Sequence, residues 1–223
     1  MTLPLEYGPT FDAIVDSLGD AYRDEDRDVE GVRYFRDRIM DAWLINEQVR
    51  ALALAPEVLE TLTYLFGRRP LPFQTLNFRY GTEQRLHSDA SHFNSDPVGF
   101  VAAVWVALED ITETNGPVVY YPGSHRLEEI SAGQVGTHRA AQTSEAIERS
   151  LAASGIAPYH GLLRRGQAMI WVGDLIHGGA PVLAPEATRH SQATHYFFEG
   201  CRYWVPKSST ADDVTWRHPR WIA

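Results

Sequence analysis

An imidazole and a carboxylate stand two residues apart in His87-Ser88-Asp89, within the stretch GTEQRLHSDASHF at 81–93. Side chains two positions apart on an extended chain share a face, so the pair projects together. This is the sequence-local part of a two-histidine, one-carboxylate site, which holds non-haem Fe(II) on one face and leaves other positions open. The third ligand must come from far along the chain, and His177 in GDLIHGGAP is the candidate. The other histidines, His92 and His195 among them, lack a carboxylate partner at strand spacing. Asp174, three before His177, reads as a structural turn entering a strand. Arg189 is the second anchor, twelve residues beyond His177, on the far side of the Pro181–Pro185 loop. A hairpin of that length would fold it back beside the histidine. A guanidinium fork matches a carboxylate with two parallel N–H bonds. Ser191, two further along the same face, adds a hydroxyl donor.

Positioning such a set needs one early and one late strand whose ends meet, as at the mouth of a roll. From Leu71 the chain has the necessary period. LPFQTLNFRY alternates as a half-buried strand does, and FVAAVWVALED, PVVYYPGSH, GQAMIWVGD and SQATHYFFEG are further β runs. Asn115-Gly116 and Pro122-Gly123 punctuate them as turns. Short strands without βαβ alternation predict a mainly β chain, a double-stranded β-helix of the jelly-roll, cupin-like kind. Residues 1–70 read as a helical N-terminal buttress packed on the roll. Phe11, Ile14, Val15 and Leu18 share a helix face, and the spacing from Phe35 through Ile39, Ala42 and Trp43 is also mostly helical. Pro56 opens a clearer helix that Gly67 stops. The charge run at 20–31 reads as a solvated loop or helix face. The double-stranded β-helix core then occupies 71–223, with an insertion at 127–160, and the whole reads as one domain. Thr143 or Ser144 caps a helix in the insertion, Ile147 and Leu151 form its face, and Gly155 ends it. A break this long in the β pattern suggests a lid.

Composition narrows the class. Hydrophobic residues make up 44% and charged residues 22%, which is globular. The net charge of −9 argues against a nucleic-acid partner or an anionic membrane surface. The single cysteine, Cys201, suits a reducing compartment and reads as a small half-buried apolar residue. MTLPLEYGPT carries no secretory pattern and no stretch approaches a membrane span, so the expected location is cytoplasmic. Oligomeric state is not legible.

Four pieces of the chain resemble the phytanoyl-CoA dioxygenase family of Fe(II)- and 2-oxoglutarate-dependent oxygenases. They are HSD at 87–89, WVALEDITETNGPVVYYPGSHRL at 105–127, GQAMIWVGDLIHGG at 166–179 and TRHSQATHYFFEG at 188–200. The resemblance implies His87, Asp89 and His177 as iron ligands and Arg189 as the partner of the distal carboxylate of 2-oxoglutarate. It implies Trp105 beside the cosubstrate, and Gln74 and Asn77 facing iron or cosubstrate. Family members often carry serine two residues after the distal histidine, where this chain has Gly179. Relatives that halogenate replace the aspartate, so Asp89 points to hydroxylation. The PGSH turn, with Ser124 and His125, reads as structural, its side chains binding backbone groups.

The expected activity is therefore oxidation of an unactivated C–H of a small molecule, using Fe(II), O2 and 2-oxoglutarate and releasing succinate and CO2. Two other classes fit the residues. A cupin-type metal-dependent hydrolase or isomerase would use the triad without Arg189. A non-catalytic binding module would have no need of all four groups. No basic cluster in the linear sequence announces a CoA diphosphate.

Overall fold

The computed structural model describes residues 2–19, 21–22, 26–127 and 144–223. Its strands are β1 (Thr2–Pro4), β2 (Arg27–Val29), β3 (Val32–Tyr34), β4 (Arg38–Met40), β5 (Pro70–Phe78), β6 (Asn94–Asp96), β7 (Ala102–Ala107), β8 (Val118–Tyr120), β9 (Tyr159–His160), β10 (Gln167–Val172), β11 (His177–Gly179), β12 (Ser191–Phe198) and β13 (Arg202–Trp204). Helices α1 (Gly8–Leu18), α2 (Glu47–Ala53), α3 (Pro56–Phe66) and α4 (Ser144–Ser154), with short 3-10 turns, accompany them. All strand pairs are antiparallel. The major sheet runs β1-β10-β7-β12-β5-β4-β3-β2, the minor sheet β11-β8-β9, and β13 pairs β6 as a ribbon. This is the double-stranded β-helix expected from the short alternating runs.

The two faces of the major sheet have separate tasks. Its outer face presents Ala102, Val104, Val106, Ile170, Tyr196 and Phe198 to the apolar stripes of α1, α2 and α3. Caps fix those helices: Asn46 accepts from the Gln48 and Val49 N–H groups, Pro56 starts α3, and Gly67 ends it at φ +65°. The Tyr196 hydroxyl donates to Ala53 O at 2.8 Å and joins sheet to helix layer. The inner face carries Phe78, Ala103, Trp105, Met169, Trp171 and Ala193 toward the minor sheet. Every residue of β12 is buried, as a strand between two layers requires.

The first seventy residues are not simply a helical buttress. β1 pairs β10, and β2, β3 and β4 extend the major sheet from β5, with Arg33 opposite Met40 and Arg38 opposite Phe78. Phe35, Ile39, Ala42 and Trp43 have helix-like spacing because a three-residue strand runs into a single 3-10 turn at Ala42–Leu44. Part of the charge run at 20–31 becomes edge strand β2, whose three residues are exposed, which is where charge belongs on a sheet.

In the insertion, residues 128–143, including Thr143, lie outside the described residues. Ile147 and Leu151 of α4 pack on Ile176, and Gly155 takes φ +69° at the helix end, as the spacing predicts. Among the described residues no helix is long and apolar enough to cross a membrane.

Candidate active site

Two distant segments meet at the site. His87 N donates to His177 O at 2.9 Å and His177 N to His87 O at 3.0 Å, an isolated antiparallel bridge between the HxD segment and β11. The serine of the PGSH turn fastens this junction, because Ser124 Oγ accepts from Ile176 N at 2.9 Å. That is the structural, backbone-binding role its sequence suggested. Ser88 is extended at φ −117° and ψ 145°, and Asp89 opens a 3-10 turn, so the carboxylate returns to the face of His87.

The tautomers follow from the backbone. His87 Nδ1 lies 2.9 Å from Arg85 O and His177 Nδ1 3.0 Å from Leu175 O, so each ring donates there and keeps a lone pair on Nε2. Those Nε2 atoms lie 4.0 and 3.8 Å from Asp89 Oδ1. The three candidate ligand atoms all fall within 4.8 Å of one another. Burial, reinforced by the adjacent His177 ring, pushes His87 down to about 3, which keeps it neutral at physiological pH. Burial opposes ionisation of Asp89, but His177, His195 and His87 together hold it below the usual carboxylate range. Trp171 Nε1 donates to Asp89 Oδ2 at 2.9 Å and so leaves Oδ1 facing the histidines.

His195 approaches the same carboxylate from β12, with Nε2 3.5 Å from Asp89 Oδ1 and the ring 4% exposed. Its sequence context did not single it out. A signal was present: Arg189, Ser191, Ala193 and His195 share one parity of an uninterrupted strand pattern.

Arg189 lies in the same cavity but not on a hairpin with His177. β11 belongs to the minor sheet and β12 to the major one, so the intervening loop crosses between sheets. The guanidinium is 2% exposed; Nη1 donates to Gly116 O at 3.1 Å and Nη2 to Tyr80 O at 3.3 Å, while the buried Nε has no partner. No carboxylate among the described residues comes within ion-pair distance of it. Burial lowers its pKa to about 10, which leaves it charged. Asn115 holds the turn beneath it, bonding Thr112 N, Asp110 O and Thr188 O.

The remaining expected contacts divide. Trp105 lines the cavity, its ring 5.4 Å from the Arg189 guanidinium carbon, and Gln74 lines it as well. Asn77 does not: it points to the helical face and donates to Gln192 Oε1 at 3.2 Å. Gln74 and Asn77 are three apart on one strand and therefore face opposite ways. Ser191 is fully buried, donates to Arg189 O at 3.3 Å and is not among the residues that line the cavity. Gly179 has a steric reason. A Cβ there would come within 2.7 Å of Gln84 N and 2.8 Å of Glu83 N, so the backbone of 83–84 occupies the space a serine would need.

The cavity holding all this has a volume of about 320 Å³. Met40, Leu76, Phe78 and Phe93 give it apolar walls.

The sequence profile described as phytanoyl-CoA dioxygenase (PhyH) matches residues 9–191. Phytanoyl-CoA dioxygenase domain-containing protein 1 of Danio rerio is 29% identical over 129 residues, which cover 57% of this chain and 44% of that protein. The chain thus spans less than half the length of that relative. Among solved structures, the epimerase SnoN in complex with Fe3+, alpha ketoglutarate and nogalamycin RO superposes with a TM-score of 0.67 at 18% identity, covering 100% of this chain and 93% of that one. EctD from S. alaskensis with bound Fe gives 0.64 at 15%, covering 89% and 72%. At these identities the likeness is one of fold.

Proposed function

This chain belongs to the phytanoyl-CoA dioxygenase family, and we propose that it is an Fe(II)- and 2-oxoglutarate-dependent dioxygenase that hydroxylates an unactivated C–H of a small molecule. One observation carries the reading. Two Nε2 atoms freed by their backbone-bonded Nδ1 partners converge on Asp89 Oδ1, in the same cavity as a buried arginine with no carboxylate of its own.

The donor set fits the metal, since two neutral imidazoles and one carboxylate suit Fe(II) and leave positions open. His87, Asp89 and His177 would hold it. With 2-oxoglutarate and O2 it supplies a two-electron oxidation of R–H to R–OH, coupled to cleavage of 2-oxoglutarate into succinate and CO2. The rest falls to the protein. Trp171 and His195 fix the orientation of the Asp89 carboxylate. Arg189 offers its guanidinium to the far carboxylate of the cosubstrate, where low polarity strengthens a charge-assisted pair. Trp105 packs beside that group, and the apolar walls limit water around the reacting C–H.

The same geometry argues against a cupin hydrolase or isomerase, which has no use for a buried, unpaired Arg189. A succinate-release screen tests the proposal. Succinate should form one-for-one with a hydroxylated product carrying an oxygen atom from O2. Turnover of a substrate without 2-oxoglutarate consumption would replace this reading with the hydrolase one.

A further inference from the structure

We propose that the substrate oxidised at this site carries an oxyanion, a carboxylate or a phosphate, held at the cavity mouth by Arg33, Arg38 and Arg217. The inference rests on the dioxygenase reading and adds the substrate's chemical class to it. Acidic residues outnumber basic ones in this chain, 29 against 20, yet the cavity lining reverses that balance. Among the described residues Asp89 is the one acidic residue lining it, and four arginines line it, of which Arg189 is assigned to the cosubstrate.

The other three come from unrelated parts of the sequence. β3 and β4 bring Arg33 and Arg38 to one ring, their guanidinium carbons 5.2 and 5.1 Å from the Phe35 centroid. Arg217 arrives from the C-terminal segment, which runs beside β13: Trp216 bridges Trp204, and Arg217 N donates to Tyr203 O at 2.7 Å. Its guanidinium lies over Phe73 at 4.8 Å and Phe93 at 5.5 Å, and Phe93 stacks edge-on against His195 at 5.0 Å. Arg217 is thus one ring away from the metal-side residues.

These charges are poorly compensated. Among the described residues no carboxylate lies within ion-pair distance of Arg33 or Arg217. The acid that most influences Arg217 is Asp41, whose carboxylate is already engaged by the Trp43 indole and Thr75 N–H groups. Arg38 meets Asp37 through Nη1 at 3.0 Å, while its buried Nε has no partner. A further cation, Lys207, donates to His92 at the cavity edge, 3.1 Å from Nδ1. Like charges lining one cavity repel one another and attract an anion. Planar guanidinium groups match the oxygens of carboxylate and phosphate. The cavity volume, about 320 Å³ shared with the cosubstrate, suits a small acid with an apolar body.

The test is calorimetric titration of the Ni(II)- and 2-oxoglutarate-loaded protein, in which no turnover occurs. The probes are arylalkyl carboxylates of increasing length, each paired with its neutral carboxamide, together with phenyl phosphate. We expect at least one acid to bind ten times more tightly than its amide; preference among the carboxylates or for phenyl phosphate identifies the oxyanion. Arg38→Gln and Arg217→Gln should shrink that preference to less than about threefold, and Arg217→Lys should restore part of it. Exposed Arg33→Gln gives the same direction of change without risk to folding. Equal affinities within every pair, no binding by any acid, or variants that weaken 2-oxoglutarate as much as Arg189→Gln does would overturn the proposal. Failure of the wild-type protein to bind Ni(II) and 2-oxoglutarate would instead count against the dioxygenase reading.

Discussion

His195 Nε2 lies 3.5 Å from Asp89 Oδ1, the oxygen that His87 and His177 face with their own Nε2 atoms. Trp171 holds the other carboxylate oxygen, so the aspartate is gripped at both ends before any metal arrives. Groups that orient ligands in this way typically contribute 10–100-fold to metal affinity. His195→Gln is therefore expected to weaken Co(II) or anaerobic Fe(II) binding by about tenfold or more, with the circular dichroism spectrum retained. Wild-type affinity in the variant would remove His195 from the site's support.

The contrast between His195 and the triad shows what a sequence makes visible. His87 and Asp89 are legible because their relation is local, two residues on an extended chain. His177 is legible through its surrounding motif. His195 meets Asp89 only because β12 lies between β5 and β7 and faces the HxD segment across the roll, a relation no short window contains. Asn77 was expected at the site on the family resemblance, against a parity that the sequence did carry, since a residue three along from Gln74 cannot share its face. Arg33 and Arg38 were hidden for another reason. Three-residue strands give too few alternations to set a period, and the neighbouring apolar residues happened to fall at helical spacing.

Arg189 offers a prediction about selectivity. Arg189→Gln should raise the KM for 2-oxoglutarate far more than that for the oxidised substrate. Loss of a buried charge-assisted contact costs on the order of 2–5 kcal/mol. A shorter 2-oxo acid lacking the second carboxylate should be a poor cosubstrate for the wild type and lose that disadvantage in the variant. If both KM values rise together, the arginine has another role.

Gly179 predicts a steric defect next to the ligand it follows. A Cβ in Gly179→Ala, or the larger side chain in Gly179→Ser, would drive into the 83–84 backbone, which leads directly to His87. Overpacking of this kind costs about 1–3 kcal/mol. The melting temperature should fall by several degrees and metal affinity should fall with it. A serine variant as stable as wild type, with unchanged metal binding, would show that the 83–84 segment yields freely.

Under the proposed function His87, Asp89 and His177 hold Fe(II) with a site left over for 2-oxoglutarate, whose far end Arg189 receives. Anaerobic titration of the iron-loaded protein with 2-oxoglutarate, followed by visible absorption, tests it most directly. A 2-oxo acid chelated to Fe(II) gives a charge-transfer band, and the wild-type protein should develop one that saturates. The band should be absent in His177→Ala, and in Arg189→Gln it should need much higher 2-oxoglutarate. No band in the wild type, or an undiminished one in His177→Ala, would contradict the assignment.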